Sequence, residues 1–318
     1  EENADALVFG EVVTDHVASW CEADGALLHA GTELATREHL LAFLKGELDA
    51  REHARRDARA RFRCGEGFTR LDFCTTHDHP RARTTLRDAE LARLAHLVVA
   101  MRPEIPMLLY GEEVGLFSED ERGYEDVWPD RMPMPWPDHA ERARRADDVN
   151  DHAEVANANA SWDTATLALF REALALRRSC DAIRRGDHEP RETFDPSGAP
   201  LHDVLAFRRT HGDSIVDVLV HRGAGEVRVV LPSGAPPDAD VLLSHGDARL
   251  VRTHRAGDDA GDDASGTGEA EAALDAPVVV LGPRSAIVLA RRPSELALQT
   301  WHAIRDEGET LAARAFVE

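Results

Sequence analysis

Short apolar runs alternate with longer stretches of helical period from residue 6 to Cys180. Ala6–Val13 (ALVFGEVV) reads as a strand buried on both faces, and Gly25–Leu28 as a weaker strand. From Thr36 to about Arg63 the period becomes helical. Thr36 stands as its N-cap, with Leu40, Leu41, Leu44 and Leu48 on one face. Phe68–Thr75 is again strand-like, and Arg87–Met101 is an amphipathic helix closed by Arg102-Pro103. Ile105–Tyr110 is the next buried strand. Gly111–Asn159 is irregular and rich in Pro, Trp and charge, and so long a loop in a compact domain is usually functional. Ser161-Trp162-Asp163 then opens a helix through Cys180 that carries Leu167, Phe170, Leu174 and Leu176. Strand and helix in alternation predict an α/β layer of parallel strands.

After Gly186 the period shortens. Val204–Arg208, Ser214–Val220, Glu226–Leu231, Asp240–Leu243, Pro277–Val280 and Ser285–Ala290 are strand-like runs separated by turn residues, which predicts a small all-β domain. Ala256–Ala273 is rich in Asp, Gly and Ala and reads as a disordered surface insertion. Residues 294–318 carry a pattern compatible with one or two helices. No repeat of fixed period is visible.

Charge narrows the partners. Lys+Arg is 37 and Asp+Glu is 59, so the formal net charge is 37 − 59 = −22. A surface this acidic repels nucleic-acid backbones and anionic membranes and suits a neutral substrate. Lys45 is the only lysine. Acid excess with almost no lysine fits adaptation to strong salt, where charge repulsion is screened within a few ångströms; codon bias of a GC-rich genome would also favour Arg and Ala. Cys21, Cys64, Cys74 and Cys180 form no C-x-x-C pair and read as reduced core residues. No apolar run approaches a membrane span, and no signal peptide opens the chain.

The segment richest in chemistry is Phe73-Cys74-Thr75-Thr76-His77-Asp78-His79-Pro80-Arg81. A His-Asp pair where a parallel strand meets its loop is where α/β barrels place reactive groups. The same residues could form a capped turn, and His77 with His79 at i,i+2 could ligate a metal.

This segment resembles the fourth conserved region of glycoside hydrolase family 13, the α-amylase family, whose seventh barrel strand ends in Asn-His-Asp or Ser-His-Asp. Thr76 stands here in place of the Asn or Ser. Phe9-Gly10-Glu11-Val12-Val13 resembles the family's third region, in which a Glu on the fifth strand is the general acid/base. Pro106–Gly115 (PMLLYGEEVG) resembles the eighth-strand signature, Arg131–Trp136 (RMPMPW) the stretch after it, and Leu169–Arg178 the last barrel helix. Glu11 alone would read as a strand-end charge; the ordered set carries the resemblance.

The resemblance implies an α/β fold: the second half (strands 5–8) of a TIM-type (β/α)8 barrel over residues 1–182, and an all-β C-terminal domain over 183–292. The acidic insertion at 256–273 falls inside that domain, and 293–318 form a tail, probable helix by pattern. It implies retaining hydrolysis of α-glucosidic bonds in maltodextrin-type oligosaccharides. Glu11 and Asp78 are the catalytic residues: Glu11 the acid/base, Asp78 the carboxylate that grips sugar hydroxyls as the ring flattens. His77 would hydrogen-bond the same sugar, with Arg81 a local structural partner. The chemistry requires no cofactor, and calcium is common in the family through ligands that would lie largely upstream. The family's nucleophile sits in a G-x-R-x-D motif on the fourth strand, and no such segment occurs in residues 1–318. The chain is therefore expected to be a fragment of a longer product, inactive alone. A half barrel with raw strand edges should also be poorly stable. Glu11 followed by Ala18-Ser19-Trp20 looks closest to the neopullulanase and cyclomaltodextrinase branch, whereas Arg131–Trp136 is shared with α-glucosidases. A transglycosylase or isomerase of the family would use the same carboxylates; a non-catalytic amylase-like binding subunit would have lost them.

Overall fold

A computed structural model describes residues 8–12, 28–32, 34–63, 69–117, 134, 136, 162–231, 239–251 and 277–291. Four short strands, β1 (Phe9–Gly10), β2 (Ala30–Thr32), β3 (Thr69–Asp72) and β4 (Ile105–Pro106), lie side by side in chain order. All three pairings are parallel, as the alternating pattern predicts. Helices α1 (Leu34–Lys45) and α2 (Ala50–Arg63) connect β2 to β3, α3 (Ala82–Leu86) and α4 (Ala89–Met101) connect β3 to β4, and α5 (Thr164–Ser179) and α6 (Asp181–Arg185) follow β4. A parallel order without reversal is the arrangement that helical crossovers allow.

Three sequence expectations need correction. The second strand is Ala30–Thr32; residues 25–27 of the predicted one lie outside the described residues. Ala-Gly-Thr has no apolar run, and its place comes from pairing with β1 and β3 rather than from its own preference. The helix expected over Thr36–Arg63 is two helices. Gly46 adopts φ +86, which a side chain would resist, and the Asp49 carboxylate accepts from Glu52 N at 2.7 Å to start α2. Thr36 is consequently no cap but a buried residue inside α1 whose hydroxyl accepts from Arg70 at 3.2 Å.

Beyond Gly186 the strands turn antiparallel. β5 (Asp187–Arg191), β6 (Val204–His211), β7 (Ser214–His221), β12 (Ser285–Arg291) and β9 (Asp240–His245) form one sheet in that order. β10 (Ala248–Val251), β11 (Val278–Leu281) and β8 (Val227–Val230) form a second. The larger sheet is buried on both faces, and successive residues alternate between them. Leu205, Phe207, Val216, Val218, Val220, Ala286 and Val288 join the core built on α1, α4 and α5. Val204, Ala206, Leu219, Ile287 and Leu289 face the other way, into a second core with Val229, Val279 and Leu281. The predicted insertion at 256–273 and the tail at 293–318 lie outside the described residues. Cys74 and Cys180 are buried free thiols, and no described helix is long and apolar enough to cross a membrane.

The β-sheets hold the helical layer by α4. At its N-terminus, Asp88 caps Glu90 N and Leu91 N at 2.8 and 3.1 Å, and Arg284 reaches Asp88 at 3.2 Å. His245 bonds Glu90 at 2.8 Å. At its C-terminus, Arg177 donates to the carbonyls of Ala100 and Arg102, and Arg209 to those of Met101 and Gly186. Beneath them Arg102, 1% exposed, pairs with Asp72 at 3.2 Å and with His53 Nε2 at 2.9 Å. Burial opposes the charge on Asp57, but Arg102 and Arg61 outweigh it and hold that carboxyl below its usual range.

Burial, reinforced by Arg102, pushes the His53 imidazole down to about 3. His53 is therefore neutral in the folded chain at pH values where the unfolded chain protonates it. The unfolded state binds the extra proton, so stability falls as pH drops from about 6.5 towards about 3, at up to ~1.4 kcal/mol per unit. Denaturant unfolding of residues 1–318 between pH 7 and pH 4 is expected to show this loss. His53→Gln, which keeps an acceptor for Arg102 but cannot titrate, should flatten the slope.

Candidate active site

The groups singled out from the sequence stand where parallel strands end. Glu11 directly follows β1 and is exposed. Its neighbour Val12 donates its N–H to Thr32 Oγ1 at 3.0 Å, which ties the exit of β1 to that of β2. After β3 the chain makes a compact loop. Thr76 Oγ1 accepts from Asp78 N at 3.1 Å and lies 2.7 Å from His79 Nδ1, while His79 N donates to Thr76 O at 3.3 Å. One hydroxyl thus closes the turn from two sides, which explains why Thr serves in place of Asn or Ser. His77 points outward, 53% exposed, with Nε2 3.3 Å from Asp78 Oδ2. Asp78 is 24% exposed, so a solvent-borne ligand can reach the pair.

His79 reports on how these groups meet. Burial holds its imidazole below the usual value, with Arg37 adding to the effect; Glu38, Asp78 and Glu11 oppose it. Both candidate carboxylates therefore lie within electrostatic reach of one ring. Glu11 follows β1 and Asp78 follows β3, so both carboxylates border the space beyond the same ends of the parallel strands.

The walls of that space are fixed by arginines. Arg37, on α1, donates to Cys74 O at 2.6 Å and Pro80 O at 3.3 Å. Arg81, fully buried, donates to Tyr110 O at 2.8 Å and lies 5.3 Å from the Tyr110 ring centre. Thr75 Oγ1 accepts from Ala82 N at 2.9 Å and so starts α3. The Tyr-Gly-Glu-Glu-Val-Gly stretch then turns tightly: Gly111 and Gly115 have φ +86 and +73, and a Cβ on Gly111 would meet Leu116 at 2.7 Å. Glu112 does not face the open space. It is buried, accepting from Leu109 N at 3.1 Å, with His96 Nε2 3.7 Å away.

Tyr110 was not singled out in the sequence, yet its ring is 42% exposed at the end of β4. Its signal was available: an aromatic next to a Gly turn at a parallel strand's C-terminal end. Arg70-Leu71-Asp72 approaches the family's R-x-D pattern but has another use. Arg70 binds Glu104, and Asp72 is 2% exposed and paired with Arg102. Among the described residues no three His, Cys, Asp or Glu side chains gather to hold a metal ion, so the calcium implied by the resemblance finds no carboxylate cradle there.

Thr76→Ser should keep both bonds of the turn and change stability by less than ~0.5 kcal/mol. Thr76→Val takes the acceptor from the partly buried Asp78 N–H and should cost ~1 kcal/mol. Denaturant unfolding, with the Asp78 amide resonance as a local probe, separates the two.

No family model and no curated protein matches the chain. Solved structures do. The α-amylase from H.orenii superposes with a TM-score of 0.67 at 16% identity, over 91% of this chain and 54% of that one. The cyclic α-maltosyl-(1→6)-maltose hydrolase from Arthrobacter globiformis, in complex with its namesake sugar, gives 0.61 at 24% identity over 90% and 50%. The Nostoc punctiforme debranching enzyme, soaked with acarbose, gives 0.61 at 18% over 91% and 51%. The chain spans about half the length of these structures. By fold, it is of the α-amylase type.

Proposed function

We propose that the chain belongs to the α-amylase family and forms the C-terminal part of a retaining α-glucan hydrolase, with strands five to eight of its barrel in β1–β4. The observation that carries this reading is that Glu11 and His77-Asp78 follow the same ends of the parallel strands β1 and β3, with β2 between them. The likeness to a hydrolase in complex with a cyclic maltosyl sugar supports an α-glucan oligosaccharide as substrate.

In this reading Glu11 protonates the leaving glycosidic oxygen and then takes a proton from the attacking water, a double role open to an exposed carboxyl at a strand end. Asp78, turned towards solvent and paired with His77, accepts hydrogen bonds from sugar hydroxyls. Those bonds strengthen as the ring flattens towards the oxocarbenium-like transition state. His77 binds the same sugar, and Tyr110 offers its exposed ring as an apolar wall. Retention also needs a nucleophilic carboxylate about 5–5.5 Å from the acid. Residues 1–318 contain no G-x-R-x-D segment, so the reading draws that group from another part of the protein. The acid-rich, lysine-poor surface fits work in strong salt.

Calorimetric titration of residues 1–318 with maltotriose tests the assignment. Asp78→Asn and His77→Asn are each expected to weaken binding by ~10-fold or more, the loss of one charge-assisted hydrogen bond. Unchanged affinity in both variants would sink it. The same chain is expected to hydrolyse no α-glucan; hydrolysis that disappears in Glu11→Gln would remove the need for an outside nucleophile.

A further inference from the structure

We propose that Arg37 is the positioning residue of this site: one buried guanidinium holds both ends of the Cys74–Pro80 segment and thereby sets where His77 and Asp78 stand. The sugar-binding part of its test rests on the function proposed above; the structural part does not.

Arg37 lies in the first half of α1 and is only 4% exposed. Its Nε donates to Cys74 O at 2.6 Å, before the loop, and its Nη2 to Pro80 O at 3.3 Å, after it. Its Nη1 binds Glu38, which is 56% exposed and orients the third arm from the solvent side. A planar fork with five fixed donors bridges two carbonyls at a set spacing; a lysine ammonium offers three donors from one point on a flexible stem and does not reproduce that spacing. The bond to Cys74 O is buried and the bond to Pro80 O partly so, which makes the first the costlier to lose.

The loop's internal bonds fix its shape but not its place. Thr76 Oγ1 joins Asp78 N and His79 Nδ1, and both partners belong to the loop itself. Only contacts from outside can fix the loop against the rest of the site. Arg37 supplies two of them, one at each end of the loop, from α1, which follows directly on β2; Arg81 adds its bond to Tyr110 O from the far end. Because Val12 N bonds Thr32 Oγ1 at the end of β2, Glu11 and Asp78 are referred to the same element from opposite sides. The spacing of the two carboxylates is then a property of β2 and α1. Neither of those elements carries a residue that touches substrate in the proposed function.

Two variants of residues 1–318 test this, Arg37→Lys and Arg37→Gln, followed by two-dimensional NMR. Arg37→Lys keeps the charge but not the fork. Both should leave the α4 and β6–β7 amide resonances in place and shift those of Thr75–His79; Arg37→Gln, which also removes the charge, should raise the midpoint of the His79 imidazole. Maltotriose affinity should fall by ~10-fold or more, as expected when a contact group is displaced by about an ångström. Wild-type loop resonances in Arg37→Lys would overturn the proposal. If wild-type chain binds no maltotriose yet the loop moves in Arg37→Lys, the substrate assignment fails and the positioning role stands. Should neither variant fold, the wild-type chain decides: Arg37 Nε–H must exchange with water far more slowly than that of Arg51, which is 80% exposed. Equal exchange would refute the clamp.

Discussion

The last turn of α4 leaves its carbonyls inside the protein, where water cannot bond them. A helix end buried in this way is costly unless side chains take over. Arg177 does so from α5, reaching the carbonyls of Ala100, Arg102, Pro103 and Glu104. Arg209 adds Met101 from β6. Three separate parts of the chain converge on one helix terminus, and the parallel layer, the last helix and the antiparallel sheet become a single packed body. Everything at the strand ends is displayed by that body. The four strands of the parallel sheet run only two to four residues each and could not hold a site by their own hydrogen bonds.

The same network shows how buried charge is managed. Glu104 meets Arg61 and Arg70, and Asp72 meets Arg102, with Asp57 and His53 close by. Burial works against each charge, and the arginines compensate with several donors apiece. Burial pushes the Asp72 carboxyl up, with Arg102 pulling against it, whereas Arg61 and Arg70 overcome burial at Glu104 and hold it down. Such pairs add little net stability against an apolar alternative, yet breaking one partner is expensive. Arginine is the suitable cation because one guanidinium serves two or three acceptors.

Much of this architecture could be read from residues alone, for definable reasons. Helices α4 and α5 announced themselves through apolar period, and the structure adds Asp88 and Asp163 as their N-caps. β6, β7 and β12 were legible as apolar runs. β5 was not, since Asp-His-Glu-Pro-Arg has neither alternation nor β-branched residues; as an edge strand it tolerates Pro190. β10 was equally hidden. The break between α1 and α2 had a visible signal, Gly46 with Asp49 three residues on, outweighed by the leucine stripe. At the site, motif order marked Glu11, His77 and Asp78. Arg37 was invisible because an arginine beside Glu38 and His39 reads as a solvated helix face, and its carbonyl partners lie 37 and 43 residues away.

The five-stranded sheet carries a consequence for how such chains can change over time. Along the apolar middles of β6, β7 and β12, Val204–Phe207, Val218–Val220 and Ala286–Leu289, each residue belongs to a different core from the next, helix-facing or sheet-facing. Inserting or deleting one residue within these strands would swap the two sets wholesale and spoil both cores together. Length variation is therefore confined to the connecting turns, such as the Gly212 and Gly246 bends, whose positive φ already marks them as conformationally permissive. Descendants of this sequence should differ freely in side chains on the outer strands, and in loop length, while the residue count of the central three strands stays fixed.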